Sequence, residues 1–477
     1  MNIVQPFFKQ CSDTPDALAF SENETAISYA DFKHRVETLG LFLQKKLIAG
    51  SCIAIALDRG IDSAACIYGV LSAGAIYVPL DIKNPAVRLN FIIEDAQARY
   101  IIGSGKAPEW LEQSEKWLDI NEIFQQNQKA FMPVELEKTQ IAAILYTSGS
   151  TGTPKGVALS HQALFNFSAW ATQTFSLNNT DCIASLAPFH FDLSIFDLFS
   201  SLSIGASVHF VPDKLSFAPS KLTAWLSEKK ISCWYTVPSL LSFIALKGAV
   251  ETTDLSALKR ILFAGEVFPM EHLITLSNLL PDVNLYNLYG PTETNVCCYW
   301  KVDRARLKLG ESIPIGKAAG DAVLDVDNET SELKVQSLNN FSGYWQNGKL
   351  SALASSPYPT GDKVSLNSRG EYCYHGRLDR MLKCSGYRVE PAEIEQRISQ
   401  LEGIAYCAVI GMRDKTSGQR PAAVLVLENG VNLAVAIKPL RGLLPSYMQP
   451  CKFIIVDTLP TLSNGKIDYL AIEGLFH

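Results

Sequence analysis

The amino-acid sequence predicts an α/β fold: a large, multi-layer N-terminal domain with mostly parallel sheets, followed by a small α+β C-terminal domain. Three observations support this prediction. Apolar runs of strand length alternate with stretches of helix length through most of the chain, as in parallel sheets covered by helices. The chain has 477 residues, more than one hydrophobic core usually supports. From about Gly376 onward the units become shorter and more charged.

Buried strands are predicted where short apolar runs are rich in β-branched and aromatic residues. In the large domain these runs are CIAIALD (52–58), IAAILY (141–146), SVHFVP (207–212) and ISCWYTVP (231–238). Helices are predicted between them, for example in HQALFNFSAWATQTF and SKLTAWLSEKK. The alternation indicates strand–helix–strand units and therefore parallel pairing.

The uncharged segment from Ser63 to Leu80 is long enough to imitate a membrane span. Its small residues, glycines and proline instead predict a buried helix that Gly74 closes, followed by a strand in AIYVPLD. We therefore interpret the segment as part of a hydrophobic core and predict no membrane association.

The domain boundary is predicted near Asp379, which divides the chain into residues 1–378 and 379–477. The second part has roughly a hundred residues, a common domain size. Its strand candidates are AYCAVIGM and AAVLVLE.

The composition excludes several classes of protein. The hydrophobic fraction is 47%, the charged fraction is 19% and the net charge is −6, so there is no electrostatic reason to expect nucleic acid or an anionic membrane as partner. The eleven cysteines are scattered, with only Cys297 and Cys298 adjacent, which indicates reduced thiols rather than a disulfide framework or a zinc site. The first residues, MNIVQPFFKQ, do not have the pattern of a signal peptide. We expect a cytoplasmic location.

The loop YTSGSTGTPKG, from Tyr146 to Gly156, is rich in glycine and hydroxyl groups. It follows the strand IAAILY and precedes a helix that Ser160 can cap. Glycines let backbone N–H groups approach an anion, and Lys155 adds a positive charge, so the loop has the chemistry of a phosphate site. It does not have the Walker A pattern, because no Gly-Lys in the chain is followed by Ser or Thr. Taken alone, the loop is equally typical of a solvated linker.

Other motifs decide between these readings. With ISYADF (27–32), LSAGAIYVPLD (71–81), NLYGPTET (287–294), YPTGD (358–362), GRLDRMLKCSGYRVEPAEIE (376–395) and LPTLSNGKID (459–468), the sequence resembles the adenylate-forming superfamily over essentially its whole length. That superfamily comprises acyl-CoA synthetases, luciferases and the adenylation domains of nonribosomal peptide synthesis. The resemblance implies two half-reactions: a carboxylate and Mg·ATP give an acyl-adenylate and pyrophosphate, and a thiol then displaces AMP.

The resemblance also implies roles for residues in these motifs. ATP and Mg²⁺ are the expected cofactors, with Thr292 at the α-phosphate and Glu293 at the metal. The small domain is expected to be mobile about a hinge at Asp379, and Lys466 is expected to reach the carboxylate and the α-phosphate during adenylation. The remaining residues expected to bind ATP are Thr147, Ser148, Gly149, Ser150, Thr151, Lys155, Asn287, Tyr289, Gly290, Asp362 and Arg377.

Asp192, in APFHFDLSIFDLF, bears on the identity of the carboxylate. On its own it is equally typical of a helix N-cap. In the amino-acid-activating members, an Asp at this motif position pairs with the α-amino group of the substrate, which favours an amino acid here. Read onto this chain, the other pocket positions of the family are Leu193, Phe196, Leu240, Leu262, Ala264, Leu288, Val296 and Cys297, closed by Lys466.

This pocket set is uncharged apart from Asp192 and Lys466, so a charged substrate side chain is excluded. It resembles the stand-alone L-prolyl-[carrier protein] ligases of pyrrole- and anatoxin-type biosynthesis, which implies L-proline as substrate. Other small apolar amino acids, or a small carboxylic acid in an acyl-CoA ligase, are the alternatives. A catalytically silent binding subunit is a further reading, which the presence of Lys155, Asp362 and Lys466 disfavours. Because the sequence shows no carrier-protein serine motif, the expected thiol partner is a separate phosphopantetheinylated carrier protein.

Overall fold

The computed structural model describes residues 2–126, 131–149, 152–353, 355–414, 418–428, 430–462 and 467–476. The helices of these residues are α1 Gln5–Asp13, α2 Tyr29–Gln44, α3 Ile61–Ser72, α4 Ala86–Asp95, α5 Ile120–Phe124, α6 His161–Thr174, α7 Pro219–Glu228, α8 Pro238–Lys247, α9 Met270–Leu279, α10 Pro391–Ser399, α11 Leu433–Ala436 and α12 Tyr469–Gly474. A π-helical segment, Phe196–Ser200, and short 3₁₀ turns at Ser114–Lys116, Asp213–Phe217, Val250–Thr252, Arg304–Arg306, Lys438–Gly442 and Ser446–Met448 complete the helical structure of this part of the chain.

The strands of the described residues form three sheets. They are β1 Leu18–Glu22, β2 Thr25–Ser28, β3 Cys52–Ile55, β4 Ile76–Pro79, β5 Tyr100–Gly103, β6 Trp117–Asp119, β7 Ile141–Thr147, β8 Lys155–Ser160, β9 Cys182–Ser185, β10 Ser207–Phe210, β11 Cys233–Thr236, β12 Arg260–Phe263, β13 Asn284–Tyr289, β14 Cys298–Lys301, β15 Pro314–Ala318, β16 Val323–Val326, β17 Glu332–Gln336, β18 Gly343–Gln346, β19 Lys349–Leu353, β20 Tyr358–Leu366, β21 Tyr372–Arg377, β22 Leu382–Cys384, β23 Tyr387–Val389, β24 Ile404–Asp414, β25 Gly418–Leu427 and β26 Phe453–Ile455.

The two large sheets confirm the predicted α/β class. One has the strand order β16-β17-β20-β21-β15-β14-β13-β12-β11-β9-β10-β1-β2, and the other β19-β18-β8-β7-β4-β3-β5-β6. Pairing is parallel from β13 to β1 in the first sheet and from β7 to β6 in the second. In the first sheet antiparallel strands flank the parallel part on both sides, whereas in the second sheet parallel pairing extends to the edge strand β6 and only the side beyond β7 is antiparallel. After Gly290 the connections are mostly short turns, such as Asn347–Gly348, and a turn of that length cannot hold a crossover helix.

The apolar segment near residue 70 lies in the core of the large domain, as predicted. It forms the buried helix α3 and the buried strand β4, with Gly74 between them at a φ of 76°. That positive φ is readily adopted only by glycine, which explains the sharp turn from helix to strand. Within the described ranges, no helix is long and apolar enough to cross a membrane.

The C-terminal sheet has the order β23-β22-β25-β24, with β26 paired to β25. Helix α10 packs against β24, and a separate hydrophobic cluster that includes Ile394, Val409 and Leu425 forms its core. The last strand of the large sheets ends at Arg377, and the first strand of the small sheet begins at Leu382. The predicted boundary, Asp379, lies in the connection between them.

Candidate active site

A cleft with about 1060 Å³ of empty space, counting its open mouth, lies between the large and the small domain. Thr147, Ala264 and Gly290 line it, and each stands at or just after the C-terminal end of a strand, of β7, β12 and β13 respectively. In α/β sheets, ligands bind at this end of the strands. The opposite wall is formed by small-domain residues, among them Lys383 and Arg388.

The glycine-rich loop borders this cleft through Thr147 and Ser148. It connects β7 to β8 as an antiparallel hairpin, so the predicted order of strand, loop and helix is wrong in one respect: the strand β8 precedes helix α6. This strand forms because the apolar Val157, Ala158 and Leu159 are buried in the sheet. Ser160 caps α6 by accepting from the backbone N–H of Ala163, as predicted.

Of the two loop hydroxyls that border the cleft, one is free to bind a phosphate and the other is hydrogen-bonded to the small domain. The hydroxyl of Thr147 is buried and has no hydrogen-bond partner within the described residues. The Ser148 hydroxyl donates to the backbone carbonyl of Arg388 in the small domain, at 2.6 Å. Gly149 is buried beside them, whereas the expected phosphate ligands Ser150 and Thr151 lie outside the described residues.

Glu293, the expected magnesium ligand, is fully buried and is surrounded by donors. One guanidinium nitrogen of Arg388 lies 2.9 Å from each carboxylate oxygen, and the Tyr344 hydroxyl donates at 2.9 Å. Burial alone would raise the pKa of Glu293, but Arg388 and then Lys155 more than offset it and hold that pKa below its usual value. A single carboxylate next to a phosphate loop suits Mg²⁺, which usually binds one or two carboxylates together with phosphates. In this arrangement of the domains, Arg388 occupies that carboxylate.

Lys155 lies beside the Tyr344 hydroxyl that donates to Glu293. Its ammonium stands 4.5 Å from the centre of the Tyr344 ring and 3.4 Å from its hydroxyl. Burial, together with the nearby Arg388, lowers the pKa of Lys155. An anionic ligand at the loop would relieve this unfavourable burial of positive charge.

Three of the residues expected to bind ATP, Tyr289, Asp362 and Arg377, are connected to one another by hydrogen bonds. Asp362 accepts from the Tyr289 hydroxyl at 2.5 Å and from Arg377 at 2.9 Å. Arg377 also bonds Asp379, the expected hinge residue, at 2.8 Å. Asp362 and Arg377 line the cleft, whereas the buried Tyr289 and Asn287 do not.

Asn287 instead donates from its side-chain amide to the carbonyl of Pro314 at 2.8 Å.

Gly290, which follows Tyr289 in the chain, lines the cleft at a point where no side chain fits. A Cβ built on it would lie 1.6 Å from the carbonyl oxygen of Asn295. The glycine therefore lets the backbone turn tightly before Thr292, which also lines the cleft.

Asp192 faces the cleft together with the apolar Leu193, Ala264 and Val296. Burial raises the pKa of Asp192 to about 6, against a hydrogen bond from Thr292 that lowers it. The π-helical segment Phe196–Ser200 that follows has no side-chain cap, and the backbone carbonyl of Asp192 accepts from the N–H of Ile195. A buried carboxylate among uncharged side chains is suited to a cationic group of a ligand.

The other predicted pocket residues lie behind this wall. Phe196, Leu262 and Leu288 are buried in the main hydrophobic cluster of the large domain, and Cys297 is buried beside Tyr289. They pack behind the residues that line the cleft and do not border the cleft themselves.

Leu240 is placed differently from the prediction. It packs in a separate hydrophobic cluster with Leu241 and Ile244 and does not line the cleft. Tyr235 does line the cleft, and its ring contacts Phe196 edge-on with the ring centres 5.6 Å apart. The reason is geometric: Tyr235 lies in strand β11, which points at the cleft, whereas Leu240 lies in the helix that follows.

Two small-domain residues of the cleft were missed by sequence reasoning. Arg388 neutralises Glu293, and Lys383 stands 4.8 Å from the centre of the Tyr374 ring and 5.7 Å from that of Tyr289. Burial lowers the pKa of Lys383, against the attraction of Asp362. Both lie in the motif GRLDRMLKCSGYRVE, whose basic residues could have been recognised as candidates.

Lys466 lies outside the described residues. The nearest described residue after it, Ile467, packs against a small-domain cluster that includes Ala408, Ile410 and Ile472. Neither Ile467 nor Leu462 lines the cleft.

The fold and the cleft agree with what comparison with known proteins shows. Residues 7–345 match the family described as AMP-binding enzyme, and residues 393–466 match the AMP-binding enzyme C-terminal domain. The chain belongs to the AMP-binding enzyme family, which confirms the resemblance to adenylate-forming enzymes and defines the protein as a ligase.

Curated relatives narrow the comparison. An L-proline--[L-prolyl-carrier protein] ligase of Streptomyces coelicolor is 36% identical over 488 residues, covering 93% of this chain and 91% of that protein. A ligase of the same name from Pseudomonas fluorescens is 32% identical over 485 residues, covering 96% of each.

Solved structures share the fold at lower identity. An o-succinylbenzoate CoA synthetase from Bacillus subtilis superimposes with a TM-score of 0.88 at 19% identity and covers 98% of both chains. A nonribosomal peptide synthetase protein containing adenylation and PCP domains gives a TM-score of 0.83 at 21% identity, covering 99% of this chain and 84% of that one.

Proposed function

We propose that this ligase activates L-proline with ATP to form prolyl-AMP and pyrophosphate, and then transfers the prolyl group to the phosphopantetheine thiol of a separate carrier protein. The observation that supports the amino acid most directly is Asp192, a carboxylate that faces the cleft among uncharged side chains. The two relatives named as L-prolyl-carrier protein ligases support proline in particular.

Asp192 would pair with the ammonium group of the amino acid. A hydrogen bond between two charged groups is worth about 1.5–3 kcal/mol, and an acid without an amino group would leave this carboxylate buried and unpaired. Leu193, Ala264, Val296 and Tyr235 then form an apolar wall for a small side chain such as the proline ring. The other charged large-domain residues that line the cleft are Arg88, Asp362 and Arg377.

ATP would lie along the other arm of the cleft. The unpaired Thr147 hydroxyl and Lys155 would bind its phosphates, and Asp362, which lines the cleft, would accept from ribose hydroxyls. Mg²⁺, when bound to Glu293 and the phosphates, would neutralise the charge that develops as pyrophosphate leaves. These residues act mainly by positioning and by electrostatic stabilisation, as expected for phosphoryl chemistry.

The arrangement of the domains suits the second half-reaction. Arg388 occupies Glu293, and Gly386 of the small domain lies at the cleft. The incoming thiolate would attack the carbonyl carbon of prolyl-AMP, the bond from that carbon to the phosphate oxygen would break, and AMP would leave. For adenylation, the small domain would rotate about Asp379 so that Glu293 is released and Lys466 is brought to the cleft.

The expected location is the cytoplasm. All eleven cysteines lie in the described part of the chain and none forms a disulfide. This supports a reducing compartment.

Amino-acid-dependent exchange between ATP and labelled pyrophosphate tests the first half-reaction. We expect exchange with L-proline to dominate among the twenty amino acids, and the D192N variant serves as matched control because it keeps the size of the side chain. Exchange with a different small apolar amino acid would retain adenylation and reject proline. Exchange with small carboxylic acids but no amino acid would reject the assigned role of Asp192 and indicate an acyl-CoA ligase.

Loading of a phosphopantetheinylated carrier protein, followed by mass spectrometry, tests the second half-reaction. We expect a mass increase of one prolyl group on the carrier and none on its serine-to-alanine form. Transfer to coenzyme A in preference to the carrier would contradict the proposed acceptor.

A further inference from the structure

Three aromatic rings form a continuous contact beside the cleft. Tyr387 and Tyr447 stack with ring centres 3.8 Å apart and an angle of 19° between their planes. Phe191 contacts the Tyr387 ring edge-on, with the two ring centres 4.7 Å apart and their planes at 90°. All three residues line the cleft.

This contact crosses the border between the two domains. Phe191 immediately precedes Asp192 in the large domain, whereas Tyr387 begins strand β23 and Tyr447 lies in a 3₁₀ turn of the small domain. An ion pair between Arg88 and Glu393 crosses the same border, with side chains that are 7% and 3% exposed. The three ring residues are each half-buried and lie at the interface between the two domains.

Tyr387 also separates the cleft from a neighbouring cavity. Together with His190 it borders both spaces, and the second cavity continues to Asp81 and Lys83 at the surface. Its neighbour Gly386 has a φ of 83°, and a Cβ there would lie 2.8 Å from Val237 of the large domain. The backbone before Tyr387 therefore fits closely, and the direction of the Tyr387 ring is set by Tyr447 behind it.

We propose that Tyr387 and Tyr447 are positioning residues for the thiolation half-reaction, with Tyr447 holding the Tyr387 ring against Phe191 so that the wall shared by the second cavity and the cleft is fixed when the thiol enters. The inference rests on the proposed function, because it assigns a role within the second of its half-reactions. Neither tyrosine is assigned to contact the amino acid or ATP.

The contact belongs to the thiolation arrangement because of its neighbour in sequence. Tyr387 and Arg388 lie in the same short strand. Any rotation that releases Glu293 from Arg388 for adenylation also moves Tyr387 away from Phe191. The contact therefore contributes to the second half-reaction and is absent during the first.

The test compares both half-reactions in Y387L, Y447L and the double variant. Proline-dependent ATP–pyrophosphate exchange reports adenylation, and single-turnover transfer from preformed prolyl-AMP to pantetheine, as the probe thiol, reports thiolation. Relative to exchange, we expect transfer to fall by roughly 5- to 100-fold in Y387L, which loses two aromatic contacts, and by roughly 2- to 10-fold in Y447L, which loses one. The double variant should be no slower than Y387L, because the contact made by Tyr447 is already lost there.

Matched controls separate positioning from simple loss of stability. Y387F and Y447F keep the rings and should restore transfer. Y406L removes a small-domain tyrosine that is 66% exposed, and it should leave both half-reactions unchanged. If Y387L does not fold, Y447L and the two phenylalanine variants still give the comparison.

Three results would overturn the inference: equal losses in both half-reactions, wild-type transfer by the leucine variants, or additive losses in the double variant. Absence of proline-dependent exchange in the unaltered chain would instead refute the first half of the proposed function. Exchange without transfer in the unaltered chain would refute the second half, and the inference with it.

Discussion

Replacing Asp192 by asparagine tests the identity of the substrate at a single functional group. The change keeps the shape of the side chain and removes its charge. In the unliganded protein, burial raises the pKa of Asp192 from 3.8 to about 6, so ionisation of this group disfavours the folded state. In the complex, the same charge would pair with the ammonium of the amino acid. The substitution should therefore affect stability and substrate binding in opposite directions.

The size of each effect follows from the same carboxylate. Loss of a charged hydrogen bond of about 1.5–3 kcal/mol corresponds to a rise of about 10- to 150-fold in the KM for proline. The pKa difference of roughly two units corresponds to about 3 kcal/mol at most. Because the folded-state pKa is the higher one, this cost is fully present above pH 6 and disappears as the pH falls from 6 towards 3.8. D192N should thus be at least as stable as the unaltered protein at pH 7.

The assay is proline-dependent ATP–pyrophosphate exchange measured from pH 5 to pH 8, with thermal unfolding measured in parallel. In the unaltered protein, the KM for proline should rise about tenfold per pH unit below pH 6 as Asp192 becomes protonated. In D192N the KM should be high and should lack this pH dependence. A wild-type KM in D192N, or a marked loss of thermal stability, would refute the assignment of Asp192 as the ammonium partner.

Three further substitutions test the moving parts of the site. Lys466→Ala should lower exchange by about 10²- to 10³-fold, a loss of about 2.7–4 kcal/mol by analogy with one oxyanion donor; near-normal exchange would contradict the assignment. Asp379→Pro restricts the backbone of the expected hinge and should slow thiol transfer while sparing exchange; equal loss of both would count against a hinge. Arg388→Gln removes the group that occupies Glu293, so exchange should reach half its maximum at a lower Mg²⁺ concentration; unchanged Mg²⁺ dependence would show that the two cations do not compete.

Much of the fold could be predicted because the large domain is built from locally consistent segments. Helix α3 and strand β4 are buried on all sides, so their apolar runs are continuous and Gly74 marks the turn between them. The antiparallel flanks were less predictable, because strands such as β16 have an alternating exposed pattern that also suits a loop. The strand β8 was not predicted, because it lies directly between the glycine-rich loop and the helix cap Ser160, and these two signals together suggested that the loop leads straight into the helix.

The candidate site shows where sequence reasoning ends. Asp192, Thr147 and Asp362 are marked by motifs, and all three line the cleft. Leu240 was predicted for the pocket, whereas Tyr235 of the preceding strand lines the cleft, because periodicity does not show which side chain a strand and its following helix present there. The stacking of Tyr447 on Tyr387 could not be predicted for another reason. The two residues are 60 positions apart in the chain, and only tertiary packing brings their rings together.

If Glu293 binds Mg²⁺ and the small domain rotates, as proposed above, the burial of Glu293 would link the two events. A fully buried carboxylate without a cation would cost several kcal/mol of desolvation, so the folded protein is expected to keep a positive charge beside it at every stage. In the structure that charge is Arg388, supported by Lys155. During adenylation the carboxylate would be shared with Mg²⁺, and two cations in one small site would repel each other. On the proposed function, Arg388 would therefore return to Glu293 once the carboxylate is no longer shared, and this return would bring Gly386 and Tyr387 back to the cleft in the arrangement proposed for thiol transfer.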